Sequence, residues 1–227
     1  MRVSNSFFSA IMAGALFASS AQGQAQNQGQ AQKSDLQSAQ EFAAQGKPDQ
    51  ALALVEPIIA QAMLKEAKDP KAMCPGTAAA VLQSLMKESN VSVSVENDWC
   101  DAMFAKAYAL NELKRPAEAA QVLEALVGHD PDNAHYLVEL AYTVRVNGQL
   151  DRSLELYKLA EKLAARLHDR EGSTHWRAVA LRGQGFAYSE LQRWDEATKA
   201  YHRSQKYEPD SDLAKNELQY IENHRPH

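Results

Sequence analysis

Apolar residues in the C-terminal half of this chain recur at steps of three and four. In residues 178–209, Leu181, Gly185 and Tyr188 share one face of a helix, and Trp194, Ala197, Tyr201 and Ser204 share one face of a second. The polar turn Leu191-Gln192-Arg193 separates the two, and Glu208-Pro209-Asp210 ends the second, because proline cannot continue a helix. Gly185 and Ala197 are small where two antiparallel helices must approach closely. The pattern predicts a helical hairpin with an aromatic-rich interior.

The same register recurs upstream. One unit presents Leu137, Leu140, Ala141, Val144, Gly148, Ser153, Tyr157 and Ala160, and an earlier one Met103, Ala107, Leu110, Ala119, Leu123, Leu126 and Pro131. A fourth, near the start, places Ala39, Phe42, Gly46, Ala51, Val55 and Ile58 in that register. Its turn, Lys47-Pro48-Asp49-Gln50-Ala51, parallels Arg115-Pro116-Ala117-Glu118-Ala119; in both, proline opens the second helix, where its missing N–H costs nothing. Pro57 falls inside that helix and predicts a kink or an early end. Residues 67–100 read as irregular: a turn at Cys74-Pro75-Gly76, a short helix from Thr77 to Lys87, then an alternating stretch from Asn90 to Val95. A decayed repeat is the alternative there. Downstream of Pro209, Leu213, Leu218 and Ile221 form an apolar stripe behind three candidate caps, Asp210, Ser211 and Asp212.

Leu181, Gly185, Tyr188, Ala197, Tyr201 and Pro209, with Gln184 in place of a leucine, resemble the tetratricopeptide pattern, whose period is about 34 residues. The units at 101–133 and 134–167 are related by that period. The step to the unit at 178–209 is about ten residues longer. The excess lies in 161–177, around His168-Asp169-Arg170-Glu171-Gly172, where it should lengthen both flanking helices and the loop between them. The unit at 134–167 lacks a closing proline, which predicts a helix running past Ala165. The resemblance, to an exported bacterial type of the family, implies an all-α fold: a right-handed α-solenoid of tetratricopeptide-like hairpins. These span 34–66 and then, within 101–224, the three units followed by a C-terminal capping helix. Each hairpin hides only part of its apolar surface alone, and stacking buries the rest.

In that family the inner groove, lined by first helices, usually holds an extended peptide or a helix of another protein, so the resemblance implies a protein or peptide partner. First-helix positions off the packing stripe carry Tyr108, Tyr142 and Phe186 at one register. Asp101, Phe104 and Asn111 accompany Tyr108; His135, Val138 and Arg145 accompany Tyr142; Arg182 and Ser189 accompany Phe186. Aromatic side chains give large contact area at low entropic cost and are frequent binding anchors. Arg145 and Arg182 are able to pair with a carboxylate of the partner. The competing reading is that these aromatics pack between helices and the arginines are solvated. The Asn and Lys set with which some family members hold a C-terminal carboxylate is not reproduced.

The 227 residues are 45% hydrophobic and 23% charged, an ordinary globular balance. A net charge of −5 gives no support for nucleic-acid binding. Arg2 is the only charged residue before Lys33; it precedes the apolar run Phe7–Ala18 and the small residues Ser19-Ser20-Ala21, which together read as an export signal, residues 1–21. Cleavage after Ala21 is expected, with Gly23 and Ala25 as alternatives. Once the signal is removed, no apolar run is long enough to cross a membrane. Residues 22–33, with glutamine at every second position, have no apolar face to bury and read as a flexible linker. An exported chain is periplasmic or secreted, and in such a compartment Cys74 and Cys100 are expected to form a disulfide. Closing that loop stabilises by about 3–4 kcal/mol on the chain-entropy account.

No phosphate loop, nucleophile elbow, zinc-ligand spacing or Cys–His pairing is present, so the sequence points to no catalytic residue, metal or cofactor. His168-Asp169-Arg170-Glu171 reads as a solvated helix end. Three functions stay open. The first is a non-catalytic adaptor docking a segment of an envelope protein. The second is a structural subunit of an envelope assembly or secretion complex. The third is an enzyme or accessory subunit whose site the sequence does not display.

Overall fold

The structure, a computed structural model, describes residues 35–66 and 98–226. The expected export signal, the linker and most of the 67–100 segment, including Cys74, lie outside the described residues. Within them are nine helices and no strand: α1 (35–44), α2 (Pro48–Glu66), α3 (Asp98–Glu112), α4 (Pro116–His129), α5 (Ala134–Val146), α6 (Leu150–Ala164), α7 (Arg170–Glu190), α8 (Trp194–Ser204) and α9 (Asp212–His224).

Four hairpin turns are built alike. Gly46, Lys114, Gly148 and Gln192 have φ of 69°, 59°, 80° and 58°. The N–H groups of these residues donate to the carbonyls of Ala43, Asn111, Arg145 and Ser189. The next residues, Lys47, Arg115, Gln149 and Arg193, donate to Phe42, Leu110, Val144 and Tyr188. Such paired bonds around a left-handed residue satisfy the last carbonyls of the first helix and reverse the chain. A left-handed backbone costs an L-residue roughly 1–2 kcal/mol, so Lys114 and Gln192 are held there by the turn rather than by preference. The four turns keep the intervals of the apolar registers, and they place the 35–66 hairpin in the same frame as the others.

The hairpins stack in chain order. α3 packs on α4, α5 on α6 and α7 on α8, while α2 packs on α3, α4 on α5 and α6 on α7; α9 closes the end against α8. The chain is thus an all-α solenoid of tetratricopeptide-like hairpins with a capping helix. α2 lies directly on α3, so the first hairpin joins the same stack. First helices also approach one another: α5 packs on α7, and Asn111 of α3 donates to Thr143 Oγ1 of α5 at 2.8 Å. Second helices are bridged by long charged side chains, Arg152 to Glu124 at 2.7 Å and Arg203 to Glu161. The stack therefore curves toward its first helices.

Aromatic rings set the spacing of the later hairpins. A Cβ at Gly185 would lie 2.6 Å from the ring of Tyr201, and one at Gly183 only 2.2 Å from that of Tyr157 on the preceding hairpin. In the α3–α4 hairpin Ala107 and Leu123 take the places of Gly185 and Tyr201. Gln184, at the family's leucine position, is buried and donates to Glu161 Oε2 at 2.9 Å, which ties α7 to α6. Buried Ser153 likewise donates to the Ala141 carbonyl at 2.8 Å.

Several sequence expectations are corrected. α3 begins at Asp98, so Trp99 and Cys100 belong to a helix rather than to the irregular segment. α6 does not run past Ala165; it ends at Ala164, and the turn bonds Arg166→Leu163 and Leu167→Ala164 close it. The additional residues lengthen α7 instead, which starts at Arg170. Asp169 caps it, accepting from the N–H groups of Glu171 at 3.1 Å and Gly172 at 2.8 Å. Pro57 ends nothing, since α2 continues to Glu66. Ala53 and Pro57 are both exposed, so the carbonyl that loses its helical donor faces water. α8 stops at Ser204, before Pro209. Ser211 caps α9, whose packed face is Ala214, Leu218 and Ile221; Leu213 is left 43% exposed, outside the expected stripe.

Candidate functional site

The inner face is formed by α3, α5 and α7, and the two junctions between them differ. At α3–α5, Tyr108 and Tyr142 stand open at 44% and 43% exposure, and Val146 beside Tyr142 is 50% exposed. They are open because the position is off the packing stripe on both helices. Phe104 and Asn111 of the same face are spent inside the protein. Phe104 meets the His135 ring at 4.6 Å, and Asn111 holds Thr143. Val138 is buried in the stack.

At α5–α7 the corresponding groups are filled from within. Arg145 pairs with Glu190 and lies over two rings, 5.4 Å from the centroid of Tyr142 and 5.3 Å from that of Phe186. Phe186 also meets Tyr201 edge-on at 5.9 Å. Arg182 pairs with Glu208, whose second oxygen lies 3.0 Å from His175 Nδ1. The arginines expected to reach a partner's carboxylate are thus engaged by carboxylates of this chain. The hydroxyls of Tyr157 and Tyr201 sit beneath this face. Burial raises both phenols, and the Arg145 charge offsets part of the effect.

The first turns of α5 and α7 carry a ring stack that the sequence reading missed. Asn133 caps α5, accepting from the backbone N–H of His135 at 3.1 Å, and so places His135 in the first turn of the helix. Trp176 stacks on His135 at 4.2 Å and 24°, and His175 meets Trp176 edge-on at 4.8 Å. Burial, aided by the His175 charge, pulls His135 down to about 4. Glu139, 3.8 Å from His135 Nε2, is pushed up by burial. Trp176 precedes residue 178, where the repeat register begins; its only signal was a large aromatic in a segment expected to be partly loop. Beyond the stack a recess of about 540 Å³ is lined by Arg170, Glu171, Thr174, His175 and Glu208. Among the described residues no group of His, Cys, Asp and Glu is arranged to hold a metal ion, and no helix is long and apolar enough to cross a membrane. Cys100 is buried near the start of α3.

No family profile and no curated protein matches this chain. Solved structures similar to it include the Sgt2 TPR domain from Aspergillus fumigatus, at 21% identity and TM-score 0.47, covering 55% of this chain and 77% of that one. The first TPR of Spaghetti (RPAP3), solved with an HSP90 peptide, has 22% identity and TM-score 0.48, over 58% of this chain and 97% of that one. YrrB, described as a TPR protein with an unusual peptide-binding site, has 16% identity and TM-score 0.46, over 82% of this chain and 90% of that one.

Proposed function

We propose that this protein is a non-catalytic interaction adaptor that works in the periplasm or after secretion. Its inner face docks an extended segment or a helix of an envelope partner. The observation that carries the reading is the open pair Tyr108 and Tyr142. Two large rings at one register on successive first helices are left exposed, while Phe104 and Phe186 of that face pack on other rings. Exposed aromatics in a row supply contact area with little ordering cost. The apolar run at the N-terminus and the cysteine pair support export, and a Cys74–Cys100 bridge belongs to the same proposal. Its check is the mass of the intact protein before and after reduction and alkylation: an unreduced protein that takes up alkylating agent on both cysteines refutes the bridge.

The docking face is tested by capture of a partner from envelope extract with wild-type protein and with the double variant Tyr108→Ala, Tyr142→Ala. Capture should drop at least tenfold while the melting curve stays in place. Unchanged capture by the double variant overturns the assignment.

A further inference from the structure

One junction of the inner face is occupied by a side chain of the chain itself. At the α5–α7 junction, an aromatic ring and a carboxylate one turn apart on α7, Phe186 and Glu190, receive the guanidinium of Arg145 from the preceding hairpin. The four equivalent turns fix the register of every other junction. In that register Phe186 and Glu190 correspond to Tyr108 and Glu112 of α3, while Arg145 corresponds to Ala43 of α1. The α3 pair therefore repeats the ring and the carboxylate, but the hairpin before it supplies a methyl group instead of a cation. Tyr108 is 44% exposed, and Glu112 is exposed and makes no ion pair among the described residues. At the intermediate junction the pair is Tyr142 with Val146, which lacks the carboxylate. Only α3 and α7 carry both groups, and only the α7 set is filled.

The geometry points to an arginine-reading subsite at Tyr108 and Glu112: the guanidinium that the chain supplies to Phe186 and Glu190 is supplied to Tyr108 and Glu112 by an arginine of the docked segment. This rests on the inner face being the docking surface. Arginine suits the pair because a planar cation stacks on a ring and donates two N–H groups to one carboxylate at once. The charge sense agrees with the chain's net −5, which favours encounter with cationic segments.

The probe is a set of random-sequence peptides of about twelve residues displayed on phage and selected on the purified protein, with affinities then measured by fluorescence anisotropy. Selected peptides should carry an arginine whose replacement by glutamine weakens binding to wild type about tenfold. With Glu112→Gln the same replacement should cost less than about twofold, because the charge partner is already gone. With Glu112→Lys, a peptide carrying glutamate in place of that arginine should bind more tightly than the arginine peptide. A merely structural role of Glu112 would not reverse the preference. Peptides that lose affinity with Tyr142→Ala but carry no arginine, or whose arginine penalty is the same with and without Glu112, overturn the subsite and leave the docking face standing. Peptides indifferent to both Tyr108→Ala and Tyr142→Ala overturn the docking face itself.

Discussion

The two junctions of the inner face are made from the same register and end in opposite states. Between α3 and α5, Tyr108 and Tyr142 are open. Between α5 and α7, Arg145 closes on Glu190 and Trp176 on His135, while Arg182 and His175 of α7 close on Glu208 from beyond α8. The difference traces to the longer third unit. Extension of α7 back to Arg170 brings His175 and Trp176 alongside the start of α5, and the two glycines of α7 let the rings of Tyr157 and Tyr201 fill the space beneath. A repeat array can thus turn one stretch of a common inner surface into support and leave the neighbouring stretch open.

The contrast is broken most strongly through the glycines. Gly183→Val places a branched side chain in the ring of Tyr157 and should cost about 3 kcal/mol in urea unfolding. At Ala105, the equivalent position on α3, the register counterpart of Tyr157 is Val55 rather than a ring, and the same side chain should cost clearly less. Next, Trp176→Ala removes the ring that stacks on His135 and should cost about 2 kcal/mol, read by the same method.

Acid sharpens the comparison further. His135 is held near 4 in the folded protein against an ordinary value of 6.5. The unfolded chain therefore takes up this proton first, and its contribution to stability, intact above pH 6.5, is lost as pH falls toward 4. About a third of the imidazole still meets water, so the loss is about 1 kcal/mol. Glu139 works in the opposite sense, because burial favours its neutral form in the folded state. The check is therefore a difference: His135→Phe should flatten the decline in melting temperature between pH 7 and pH 4.5, and an unchanged slope refutes this account. Smallest of all, Tyr108→Ala should change stability by less than about 0.5 kcal/mol, because its ring is open. A larger loss would show that α3–α5 is also a supporting junction.

The hairpins were legible because their register is written in large apolar residues and in the turns. Leu181, Tyr188, Tyr157 and the pair Gly46 and Gly148 suffice to phase the array. Lys114 and Gln192 occupy the same left-handed position without being glycine, so composition alone did not mark all four turns. The start of α7 was hidden because no apolar period precedes residue 178; a single cap, Asp169, sets it. The inner face was only partly legible. Periodicity says which residues leave the packing stripe, and Tyr108 and Tyr142 among them are exposed. It does not say which long side chains find partners across helices. Arg145 meets Glu190 from another helix, and Arg182 meets Glu208 from beyond the end of α8, distant in sequence. Gln184 shows the same limit in the core: a departure from the family's leucine made sense only once Glu161 stood opposite.

Direct packing of α2 on α3 gives the first hairpin a non-covalent hold on the array besides the chain that links Glu66 to Asp98. With both cysteines reduced, a chain cleaved once in that interval should still travel as a single particle, with the N-terminal piece retained by its contact with α3. Replacing residues 35–66 with another hairpin of matching register would then change the residue that stands at Ala43, the register counterpart of Arg145, without rebuilding the rest of the array.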